Sequence, residues 1–92
     1  MPRIQVARFD IGERAAAKFW AHGIRTDQVE AVLDNHWITT RNRAGRTAQI
    51  LLIGRDNQGR CLTVPILPTA DPLIWRPVTA WPCKPSELAK LR

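Results

Sequence analysis

The 92 residues, 45% hydrophobic and 24% charged, predict one globular domain, 1–92, with a modest core and no room for a second module. A formal net charge of +6, a pI near 10.7 and eleven arginines among fourteen basic residues favour phosphate recognition or an acidic partner over a merely soluble surface. No apolar run is long enough to cross a bilayer and no signal-peptide segment follows the basic start, so cytoplasmic residence and no membrane partner are expected.

Ile4 to Phe9 alternates apolar and polar residues and predicts a short first strand with Ile4 and Val6 on one face. Asp10 and Gly12 end it. The alanine-rich stretch from Glu13 to about Ala21 predicts a helix whose buried stripe is Ala16, Phe19 and Trp20. Gly23 stands where a left-handed helix-ending residue is wanted. A second helix follows Ile24, capped by Thr26 or Asp27, with Val29, Val32 and Leu33 turned inward and Asp34-Asn35 as its stop.

The second half predicts a strand meander. Trp37–Arg41 is a strand, Asn42–Arg46 a turn around Gly45, and Thr47–Arg55 the strongest strand of the chain. Asp56-Asn57-Gln58-Gly59 reads as a hairpin loop from which Cys61–Leu67 pairs back. Leu73–Trp81 is the last strand, with Pro77 demanding an edge position or a bulge. Pro85 opens a short helix through Leu91. Two helices then cover one face of an antiparallel sheet and leave the other open, an α+β arrangement.

Chemistry concentrates between Arg41 and Arg60. Arg41, Arg43, Arg46, Arg55 and Arg60 frame the apolar Ile50–Gly54 run, and Asp56 is the only acid among them. Guanidinium groups on a fixed sheet offer paired donors suited to phosphate and carboxylate. Two-residue alternation puts Trp75, Thr79 and Trp81 on the open face and Ile74, Arg76, Val78 and Ala80 toward the helices, unless a bulge at Pro77 exchanges them. Exposed indoles there would stack on unpaired bases; the ordinary alternative is that they fill a core edge or a protein interface. His22 suits a helix C-cap, His36 a turn, and Glu87 the first turn of the last helix, where the dipole favours a carboxylate. Two histidines and two cysteines without paired ligand spacing predict neither metal nor cofactor. Cys61 and Cys83 read as reduced thiols, not a disulfide framework.

In order, Phe9-Asp10, the alanine helix with Lys18, His22-Gly23-Ile24, the Leu52-Ile53-Gly54-Arg55 and Gly59-Arg60 hairpin, Arg76-Pro77-Val78-Thr79-Ala80-Trp81 and Glu87 resemble the BrnT-family toxins. The resemblance spans nearly the whole chain through short motifs. It implies a RelE/ParE-like fold and a type II toxin–antitoxin toxin that cleaves RNA and arrests translation. The implied partners are RNA and a cognate antitoxin, with which a hetero-oligomer would form. Arg55 and Arg60 match the family's hairpin arginines and Glu87 its late glutamate. With His22 they form the expected catalytic set, the arginines holding the scissile phosphate and His22 or Glu87 accepting the 2′-hydroxyl proton. Arg41, Arg43, Arg46, Arg76, Lys84, Trp75 and Trp81 are the expected RNA contacts. Two departures stand out: Ala21 replaces a lysine of the family's joint, and Trp81 an arginine of its last strand. Either Arg46 or Lys84 restores the charge, or cleavage is altered or absent. Two other readings share the scaffold: a degenerate toxin-fold module docking an acidic protein or nucleic acid, and a ParE-like gyrase poison.

Overall fold

The computed structural model describes residues 4–92. Its elements are β1 (Arg8–Phe9), α1 (Glu13–Ala21), α2 (Thr26–Ala31) continued by a 3₁₀ turn (Val32–Asp34), β2 (Trp37–Arg41), β3 (Ile50–Arg55), β4 (Cys61–Pro68), β5 (Ile74–Pro77), β6 (Trp81–Pro82) and α3 (Pro85–Leu91). The strands form one sheet in the order β1-β5-β4-β3-β2, with β6 also pairing β4. This α+β sheet is mixed, because β1 runs parallel to β5. The first strand is also shorter than the Ile4–Phe9 alternation predicts, since only Arg8 and Phe9 find partners.

Helix α1 ends as its glycine demands. Gly23 takes φ +72°, its N–H bonds the Trp20 carbonyl at 2.9 Å, and the Ile24 N–H reaches back to the Phe19 carbonyl at 2.9 Å. This double closure satisfies carbonyls left over at the helix end, while Phe19 and Ile24 are both fully buried. Phe19 is buried as expected, but its companion is Ala15 and not Ala16, and Trp20 is 71% exposed. Neither Thr26 nor Asp27 caps α2. The cap position is Arg25, whose backbone N–H donates to the Gln28 side chain at 2.8 Å. Asp27 instead accepts from the Arg25 guanidinium at 3.0 Å, which holds its carboxyl below the usual carboxylate range.

Both helices pack on one sheet face, where Phe9, Phe19, Ile24, Val29, Val32, Leu52, Leu62, Val64 and Ile66 form the core. Gly54 is required by this packing and not by its dihedral angles. A Cβ there would stand 2.6 Å from Val32 Cγ1 and 2.8 Å from Trp37 Cβ. The β3–β4 hairpin turns through Gly59 at φ +84°, and Asp56 holds the turn from inside. The Asp56 carboxylate is buried and accepts from the Gln58 and Arg60 N–H groups at 2.9 Å and from Gln28 Nε2 at 3.3 Å.

The last strand is not continuous from Leu73 to Trp81. Pro77 pairs with Ile66 and Trp81 with Thr63, so four steps on one strand oppose three on the other. One extra residue is a bulge, and a bulge reverses which side chains face which way. Trp75 consequently sits with the helices, packed against the core, its Nε1 donating to the Gln5 carbonyl at 3.1 Å. Trp81, opposite Thr63, lies on the other face, while Ala80 in the bulge is buried in the core. The expected sharing of one face by Trp75 and Trp81 is therefore corrected.

That other face is not open. Helix α3 packs against β3, burying Leu91 and Glu87 over a face where Leu51, Ile53 and Thr63 are also buried. The cysteines are corrected as well. Cys61, at the start of β4, is disulfide-bonded to Cys83, two residues before α3, with their Cα atoms 5.3 Å apart. They meet because β6 and Cys83 run back along β4, the Cys83 N–H bonding the Cys61 carbonyl at 3.0 Å.

Candidate functional site

Where α3 leaves the sheet uncovered, a groove of 790 Å³ remains. Its floor is a row of adjacent positions, Thr40, Leu51, Pro65 and Val78, one from each of β2, β3, β4 and the bulge. One wall is the β2–β3 connection, which brings Arg41, Arg43 and Arg46 to the groove. Gly45 at φ +83° turns this loop, and Asn42 ties it down with a side-chain bond to the Ala48 carbonyl at 2.8 Å. The other wall is Trp81, Lys84 and the α3 residues Ser86, Glu87 and Lys90. His22, at the end of α1, lines the same groove.

Five permanent cations, Arg41, Arg43, Arg46, Lys84 and Lys90, thus surround an apolar floor, and Glu87 is the one carboxylate among the lining residues. Glu87 does not neutralise them freely. Its carboxylate accepts from the Lys84 backbone N–H at 2.7 Å, capping α3, and from Trp81 Nε1 at 3.0 Å. The Lys84 ammonium stands 5.8 Å over the Trp81 ring, a cation–π distance. The indole is thereby fixed between a carboxylate at its edge and a cation at its face.

His22 Nδ1 lies 3.1 Å from the Lys18 carbonyl oxygen. A carbonyl only accepts, so Nδ1 is the donor in this contact and Nε2 is the nitrogen left to serve as a base. A base of this kind beside several cations is suited to taking a proton from a hydroxyl near a bound phosphate.

Of the residues singled out in the sequence, the groove gathers His22, Glu87, Arg41, Arg43, Arg46, Lys84 and Trp81. It does not gather Arg55, Arg60, Arg76 or Trp75. Arg55 ends β3 five residues beyond Ile50, about 17 Å along the strand from the Arg41 pairing. Its Nη1 donates to the Gly59 carbonyl at 2.8 Å, so it braces the hairpin turn that Arg60 leaves. Arg76 is paired with Asp10 at 3.1 Å, and Trp75 is occupied by the core. Sequence reasoning missed Lys90, although it follows Ser86 at the i, i+4 spacing that puts two side chains on one face of a helix.

A second cleft of 530 Å³ lies at the opposite end of the hairpin, lined by Arg8, Phe9, Gln28, Glu30, Asp34 and Asp56 among others. Its charges are mixed and Asp56 is already saturated with donors. Among the described residues, no group of three His, Cys, Asp or Glu side chains converges as a metal centre requires, and no helix is long and apolar enough to cross a membrane. Neither protein-family models nor curated protein sequences give a match to this chain.

Proposed function

We propose that this chain is a type II toxin of the BrnT kind with a RelE/ParE-like fold, a metal-independent endoribonuclease that binds RNA in the basic groove. The observation that carries this reading is the concentration of Arg41, Arg43, Arg46, Lys84 and Lys90 around a groove whose one carboxylate is already hydrogen-bonded. Uncompensated cations of this kind bind phosphates and release counterions. The element order, a short strand, two helices, an antiparallel meander and a terminal helix, supports the family reading.

In this reading Arg41, Arg43, Arg46 and Lys90 hold the RNA backbone and neutralise charge developing on the scissile phosphate. His22 Nε2 takes the proton from a ribose 2′-hydroxyl. The freed oxygen attacks the adjacent phosphorus, the bond to the 5′ oxygen breaks, the leaving oxygen takes a proton from solvent water, and a cyclic phosphate and a 5′-hydroxyl result. The cognate antitoxin covers the groove with an acidic segment. The test is incubation of the purified chain with a defined single-stranded RNA in EDTA, with fragment ends mapped. Fragments ending in cyclic phosphate, absent with His22→Ala and with the Arg41/Arg43/Arg46 triple alanine variant, support the proposal; RNA left intact by a folded chain refutes cleavage.

A second reading has its own support. Glu87 is committed to Trp81 and Lys84, and the hairpin arginines Arg55 and Arg60 are outside the groove. Both facts favour a module that binds RNA or an acidic protein segment without cleaving it. Stable binding of intact RNA, lost with the triple variant, would establish it.

A further inference from the structure

One wall of the groove is held by a covalent tie that phosphate binding does not use. Cys83 is joined to Cys61 across 22 positions of sequence, and the residues next to it, Trp81, Lys84, Glu87 and Lys90, line the groove. Its other anchors are short: the β6–β4 pairing, the Cys83 N–H bond to the Cys61 carbonyl and the packing of α3 on β3. Strand β6 has two residues, α3 has seven, and the helix buries only Glu87 and Leu91. A helix of that length does not persist in water without tertiary anchorage. Both cysteines are half-buried residues, and the Thr63 hydroxyl donates to Cys83 Sγ at 3.4 Å.

We propose that the Cys61–Cys83 disulfide is a redox latch on the groove: oxidised, it clamps α3 on β3 and completes the cationic walls; reduced, it lets α3 lift and weakens RNA binding. The proposal rests on the RNA-binding reading for its consequence, but not for the movement itself. The chemistry is a two-electron exchange with a dithiol. One reductant thiolate attacks a protein sulfur and forms a mixed disulfide, and the other cysteine leaves as thiolate and takes up a proton. The second reductant thiol then resolves the mixed disulfide, so the dithiol becomes its cyclic disulfide and both cysteines become thiols. Reducing compartments therefore loosen the groove, and oxidising conditions complete it.

The experiment compares the whole chain in oxidised form, after dithiothreitol, and as a Cys61→Ser/Cys83→Ser variant. Amide exchange is followed at residues 84–91, and affinity for a labelled single-stranded RNA is measured in parallel. Protection of β3 and β4 reports that the fold survives. The expected result is faster exchange in α3 alone in both reduced forms, with affinity lower by about tenfold, as when the competent arrangement falls to a tenth of molecules. Unchanged α3 exchange, or free thiols in the protein purified under air, would overturn the latch. Should no form bind RNA, the RNA reading fails alone: faster α3 exchange still sustains the latch, and unchanged exchange removes both.

Discussion

The two ends of the β3–β4 hairpin carry similar arginines in opposite circumstances. At the turn end, Arg55 and Arg60 flank Asp56, a buried carboxylate that accepts from three donors, and one Arg55 N–H bonds the Gly59 carbonyl. At the far end, Arg41, Arg43 and Arg46 border a groove where the one acid is turned away into a helix cap and an indole. The difference is one of charge density. At the turn two arginines flank one buried carboxylate, whereas at the groove three arginines and two lysines share one hydrogen-bonded acid. Counting cations along the sequence does not separate the two; asking where each donor goes does.

The sharpest way to break this comparison is to remove each set in turn. The triple Arg41→Ala, Arg43→Ala, Arg46→Ala variant is expected to weaken RNA binding about a hundredfold at low salt and to reduce the salt dependence by about two in slope, as three lost phosphate contacts imply. Arg55→Ala with Arg60→Ala changes affinity less than about threefold at physiological salt, because charges about 17 Å away lie beyond the screening length. A fluorescence titration across salt concentrations reads both, and equal losses from the two variants would dissolve the distinction.

Stability separates the ends in the reverse sense. Asp56→Ala strands the Gln58 and Arg60 N–H groups and Gln28, and is expected to cost about 2 kcal/mol in denaturant unfolding with little change in RNA affinity. Gly54→Ala, in β3 just before that turn, forces a methyl against Val32 and Trp37 at a cost of about 1–3 kcal/mol. Glu87→Gln, at the groove, is the smallest: about 1 kcal/mol from a weakened cap, detected as a lower midpoint. That variant also raises RNA affinity slightly by deleting the lone negative charge. A marked loss of affinity would instead give Glu87 a direct role.

Much of this arrangement is legible in the sequence. Gly23 and Gly59 announce their turns because only glycine adopts those dihedrals cheaply, and the Thr47–Arg55 run announces its strand, which begins at the apolar Ile50 and not at Thr47. Other features depend on pairings that local pattern does not contain. Pro77 signals a bulge, yet which tryptophan it turns outward depends on an extra residue counted against β4. Cys61 and Cys83 meet only because the chain after that bulge runs back along the same strand. Glu87 announces a helix start, but its bond to Trp81 and the cover that α3 lays over the second face are tertiary facts. The groove was half visible: Arg41, Arg43 and Arg46 were marked by density of charge, whereas Lys90 became a wall residue only once α3 was seated.

The measurement that tests the central claim most directly is a nitrogen-15 NMR titration of the oxidised chain with a short single-stranded RNA. The account predicts that amide shifts concentrate at Thr40–Ala48, at Val78–Lys84 and around Lys90, while Asp56–Arg60 stays unmoved. Perturbation centred on the Asp56 turn, with the Arg41–Arg46 loop silent, would contradict it.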